Sequence, residues 1–190
     1  MTNSLKNYVF RLLLVLTVML PFVAQTSQAQ LNSNTASVVI TATLLETLTL
    51  TATPNAVALD LAPGGDSADS LPVAITTIWA LGSNRTQVNV YGSFASSTVA
   101  LTDGLGHNIP AANVVGRVST GVPVSGTTFA QTSPFGAAGA GLKLVTQGIG
   151  ISNLTSTRTD NLILSVSLTS GPTLPSGVYV GTLSIQAQAL

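Results

Sequence analysis

Short runs in which apolar and polar residues alternate, cut by Gly, Pro, Asn and Asp, fill most of this chain, and no stretch repeats its apolar residues at a capped helical period. Period two places alternate side chains on opposite faces of an extended strand, so such a chain folds into sheets with one face buried and one in water. The run from Pro175 to Leu190 shows this best. Pro175-Ser176-Gly177 reads as a turn. Tyr179, Leu183, Ile185, Ala187 and Ala189 then form one face, and Thr182, Ser184, Gln186 and Gln188 the other. A strand of this kind leaves its backbone N–H and C=O groups for a neighbour to satisfy.

Similar runs recur upstream. Val38, Ile40, Ala42 and Leu44 alternate with Val39, Thr41 and Thr43, and Leu48, Leu50 and Ala52 alternate with threonines. Further strands are expected at Val57–Leu61, Leu71–Trp79, Gln87–Phe94, Thr98–Thr102, Asn113–Ser119, Gly141–Ile151 and Leu162–Leu168. β-Branched residues are frequent in them, as strands prefer. Residues 120–141 are rich in Gly, Ala, Ser and Pro and read as an exposed loop with a strand near Phe129. Short strands separated by turn residues, without a strict internal repeat, specify an all-β antiparallel sandwich or barrel.

Lys6 and Arg11 precede an apolar run, Leu12 to Ala24, and Ser27-Gln28-Ala29 supplies small residues for cleavage. This reads as a signal peptide over residues 1–29, with the run short of the roughly 20 residues that span a bilayer. The expected organisation is signal peptide 1–29, flexible segment 30–36 and one β-sandwich domain, 37–190. The expected location is outside the cytoplasm, in the periplasm or at the surface of a bacterium, with the membrane involved only in export.

Beyond residue 29, six acids and four bases remain, a formal charge of −2. No cluster of Lys and Arg exists to meet a phosphate backbone, which excludes nucleic acid as the expected partner. Hydroxyls and amides solvate such a surface in place of charge. The chain has no Cys, so no disulfide and no lipid-bearing thiol.

The inventory for chemistry is thin. His107 is the sole histidine and lies near Asp103 and Asn108 without a transition-metal set around it. No Gly-x-Ser-x-Gly elbow accompanies the many serines. Asp66 and Asp69 flank a Gly-rich loop but lack the oxygen count that calcium requires, and read as turn residues. Glu46, the only glutamate, reads as marking a bend between strands. The expectation is a protein that is not an enzyme, with no catalytic residues, metal or cofactor. Trp79 and Phe94 fall in apolar registers and read as core, while Tyr91 falls on the opposite face, where a sugar could stack. Asn84-Arg85-Thr86 and Asn153-Leu154-Thr155 match the glycosylation pattern.

The ending Gly177-Val-Tyr-Val-Gly-Thr-Leu-Ser-Ile-Gln-Ala-Gln-Ala-Leu190 resembles the closing strand of bacterial pilin-like and spore coat protein U-like secreted domains. The segment Val38-Val39-Ile40-Thr41-Ala42-Thr43-Leu44 resembles their donor strand. Ala189 stands where pilins carry a penultimate Tyr, and the common disulfide is missing. The resemblance implies an immunoglobulin-like sandwich lacking one strand. It implies donor residues Val38, Ile40, Ala42 and Leu44, and a closing strand containing Gly177, Tyr179, Leu183, Ile185 and Ala187. The expected partner is a second copy or a related secreted subunit. The alternative expectation is a monomeric cell-surface adhesion or carbohydrate-binding module that uses the 120–141 loop.

Overall fold

The computed structural model of the chain describes residues 33–121 and 123–190. The expected leader, 1–29, lies outside the described residues. The chain divides into two compact units, one ending at Ala42 and one running from Thr43 to Leu190. In the first, residues 33–42 carry no regular secondary structure, and Val38 and Ile40 are exposed. The expected strand at Val38–Leu44 is therefore corrected to an irregular segment. Alternation states which side chains share a face; it does not supply a partner strand.

The second unit is an all-β antiparallel sandwich. Its strands are β1 (Thr47–Thr53), β2 (Val73–Ala80), β3 (Gln87–Ser93), β4 (Leu101–Thr102), β5 (Asn108–Ile109), β6 (Val114–Val118), β7 (Thr127–Thr128), β8 (Gly141–Gly148), β9 (Thr155–Val166) and β10 (Ser184–Ala189). Five form one sheet in the order β1-β2-β9-β6-β7, three form the second in the order β10-β3-β8, and β4 and β5 pair alone. Every pairing is antiparallel.

Period two decides what enters the core. Val73, Ile75, Thr77 and Trp79 of β2 are buried, as are Val114, Gly116 and Val118 of β6 and Leu162, Leu164 and Val166 of β9. From the second sheet come Val88 and Val90 of β3 and Leu142, Leu144 and Val145 of β8. A shift of register opposite Val90 and Tyr91 lets the consecutive Leu144 and Val145 both reach the interior, as a β-bulge permits. Phe129 joins the two layers. Its ring lies against Gly92 of one sheet and Gly116 of the other, where an added Cβ would stand 2.9 Å from the ring in each case. Phe94 meets it edge-on at 5.3 Å.

The outward face of the larger sheet is hydroxyl-rich. Thr47, Thr49, Thr51 and Thr53 of β1 and Thr155, Thr157 and Thr159 of β9 are exposed on either side of β2. Trp79 is core, 2% exposed, with its indole N–H donating to the Asn153 carbonyl at 2.8 Å.

The final strand starts later than its sequence pattern. Residues 177 to 183 are outside β10, so Gly177, Tyr179 and Leu183 precede the ladder, while Ile185 and Ala187 lie inside it. Val180 instead bridges Thr102 through reciprocal backbone bonds of 2.9 Å. Gly181 makes this possible, because a Cβ there would collide with the Ala100 carbonyl.

Candidate functional site

A sandwich has open strand edges, and how each is finished shows what it can accept. β7, at one border of the larger sheet, is two residues long. β8, at one border of the smaller sheet, carries the bulge, and its start is covered by Gln131, which exchanges backbone bonds of 2.8 Å with Gly141 and accepts the Lys143 N–H on its side chain. The first half of β9 extends past β6, so its outer edge has no ladder partner among the described residues. That half turns Ser156, Arg158 and Asp160 toward the interior, and inward charges are a standard deterrent to edge pairing.

Asp160 is 2% exposed. The Arg158 guanidinium donates to both of its carboxylate oxygens at 2.8 Å, and the Thr120 hydroxyl donates at 2.6 Å. Burial raises the pKa of Asp160, but the hydrogen bonds from Arg158 and Thr120 and the Arg158 charge hold it below the usual carboxylate value. Arg158 also donates to the Gln147 side chain and the Thr120 carbonyl. These groups line an open depression of about 330 Å³ with Trp79 and Asn153. With its carboxylate fully engaged by Arg158 and Thr120, the cluster acts as a plug at the end of the core.

β1 and β10 differ from the other borders. Each is the outer strand of its sheet, seven and six residues long, with no charge, Pro or bulge. Their Cα atoms approach within 8 Å, yet no ladder joins them. Leu48 and Ala189 share the cluster around Trp79, whereas Ala52 and Ile185 pack on the main core, so the two strands run in opposite directions. Inward-facing Leu48, Leu50, Ala52, Ile185, Ala187 and Ala189 are only half-buried, whereas most apolar positions facing inward from β2, β3, β6, β8 and β9 are buried. The core is thus open to water along the β1–β10 seam. Val57, Leu59 and Leu61, expected as a strand, join no ladder, and they too are half-buried against the core.

Glu46 fixes the start of β1. Its carboxylate accepts the Gly82 N–H at 2.7 Å and a forked pair from Arg85, with Nη2 at 2.7 Å and Nε at 3.1 and 3.2 Å. The Arg85 and Gly82 hydrogen bonds and the Arg85 charge outweigh partial desolvation and hold the Glu46 pKa below its ordinary value. Glu46 is therefore a clamp between the first strand and the β2–β3 turn rather than a simple bend marker.

The remaining candidates from sequence are engaged locally. His107 Nδ1 lies 2.6 Å from the Asp103 carboxylate, which also accepts the N–H groups of Leu105 and His107. Asp66 accepts the Thr169 hydroxyl, and Asp69 pairs with Arg117. Among the described residues no group of three or more His, Cys, Asp or Glu gathers as metal ligands. Asn153 uses its side chain on the Gly148 carbonyl and Gly150 N–H. The donor candidates Val38 and Ile40, and Leu44 in the second unit, are 83, 87 and 81% exposed.

Sequence reasoning missed the ion pairs Glu46–Arg85, Asp69–Arg117 and Arg158–Asp160. A signal for Arg158–Asp160 was present, since opposite charges at i and i+2 of a strand share a face. Nothing local links Glu46 to Arg85. Comparison of the chain with protein-family models and with curated proteins finds no match.

Proposed function

We propose that this protein is a secreted, non-enzymatic structural subunit that assembles by strand donation, with Val38–Leu44 of one copy filling the β1–β10 seam of the next. The observation that carries this reading is the pairing of two bare, uncharged edges around a line of half-buried apolar side chains. An added strand satisfies both edges and inserts alternate side chains between the sheets. Val38, Ile40, Ala42 and Leu44 have the required period and size.

Chain geometry bars one of the two directions of insertion within a copy; the other, antiparallel to β1, needs only a two-residue hairpin. β1 and β10 are antiparallel, so a strand between them that runs antiparallel to β10 runs parallel to β1. Parallel neighbours in one chain need a crossover of about a dozen residues. Only Leu45 and Glu46 separate Leu44 from β1, and Glu46 is held by Arg85. A second copy carries no such restriction, and head-to-tail repetition of the contact produces a filament. The seam must widen on insertion, because a strand seated between two others needs about 9.6 Å, twice the ladder spacing.

The test compares residues 30–190 with residues 45–190 by light scattering and electron microscopy. Filaments from the longer chain alone are the expected result. Monomers from both, with equal stability, count against the reading.

A further inference from the structure

The outward face of the smaller sheet has a different character from the threonine-rich face opposite. On β3, Val88 and Val90 enter the core, so Asn89 and Tyr91 point outward. The register sets Gln188 and Thr146 on either side of Asn89, and Gln186 and Lys143 on either side of Tyr91. The loop before β8 folds onto the same face. Gly136, at φ 77°, sits against Ser93, and the Phe135 ring meets Tyr91 edge-on at 5.9 Å. Tyr91 is thereby held as a half-buried platform.

Asn89 is the unusual member. It is only 3% exposed, and its Oδ1 has no hydrogen-bond partner among the described residues. Buried polar atoms nearly always find partners, so an orphan acceptor is a position that a water or a ligand hydroxyl can fill. Its register neighbours are Gln188 and Thr146, on a face that also presents Gln186, Tyr91 and the charge of Lys143.

We propose that this face binds a neutral oligosaccharide. A pyranose has an apolar C–H face that suits an aromatic ring, and its hydroxyls donate to amide oxygens and accept from amide N–H groups. Tyr91 stacks on the sugar ring. Gln186 and Gln188 bond its hydroxyls and swing aside so that one hydroxyl donates to Asn89 Oδ1. The near absence of charge matches a neutral ligand. The site does not depend on the seam, since Gln186 and Gln188 face away from it.

The test passes residues 30–190 over three insoluble neutral polysaccharides: cellulose, chitin and starch. Retention on at least one, with elution by its soluble oligosaccharide, is expected. Tyr91→Ala and Gln186→Ala should each weaken retention by about tenfold, the worth of one aromatic or polar contact. Thr49→Ala on the opposite sheet should leave it unchanged. Gln186 is exposed, so its variant decides the matter if Tyr91→Ala does not fold. No retention on any of the three supports, or retention that survives both substitutions, overturns the proposal.

Discussion

Glu46 and Arg85 join the first residue before β1 to the turn between β2 and β3 through a forked ion pair, and the Gly82 N–H completes the carboxylate's shell. This contact fixes where the sandwich begins and where the segment ahead of it departs. Because the Glu46 pKa is lowered in the folded chain, its stabilisation is present above the unfolded value of about 4.3 and is lost as pH falls through the lower folded value. Glu46→Gln should therefore lower Tm at neutral pH, and the difference should close on acidification below that range. Thermal melts of both chains against pH check this.

Arg158 and Asp160 give a larger effect. Asp160 is buried and Arg158 only half-buried, so removing the guanidinium costs about 3 kcal/mol, the lower end of the range for a buried pair, because the carboxylate is left charged and unpaired. Arg158→Ala should lose stability near that size in urea titrations at pH 7. In the variant, burial acts on Asp160 without the Arg158 charge and raises its pKa, so stability should recover as pH falls and the carboxyl protonates. Replacing both with Leu should restore much of the stability while exposing an undefended β9 edge, seen as aggregation in light scattering.

Phe129 tests the joint between the layers. Truncation to Ala removes a ring that contacts both Gly92 and Gly116, and should cost about 3–5 kcal/mol in urea unfolding. Filling from the other side should fail too: Gly116→Ala forces the ring away and should destabilise by about 1–3 kcal/mol.

Gly181→Ala tests the approach of the last segment to Ala100. The added methyl should break the Val180–Thr102 bridge, which hydrogen exchange at the Val180 and Thr102 amides reports, while β10 amides beyond Ser184 keep their protection.

The fold class was legible where alternation coincided with an apolar interior. β2, β6 and the inward set of β10 were visible in this way, and Trp79 and Phe94 lie in the core where their registers placed them. The first half of β9 was hidden because its interior positions are Ser156, Arg158 and Asp160, which carry no hydrophobic period. Val38–Leu44 had the period without a ladder, and Val57–Leu61 had a half-buried face without one. The seam was not readable at all. Which strands end a sheet depends on pairings between distant residues, such as Gln186 with Tyr91 and Leu50 with Thr77, and local pattern does not encode them.

The most direct measurement uses the chain's lack of cysteine. Ile40→Cys and Ala187→Cys are placed together in residues 30–190, oxidised under native conditions and resolved on a denaturing gel. Strand donation between copies predicts a ladder of disulfide-linked oligomers that collapses on reduction. A monomer with an internal disulfide, or no disulfide at all, would contradict it.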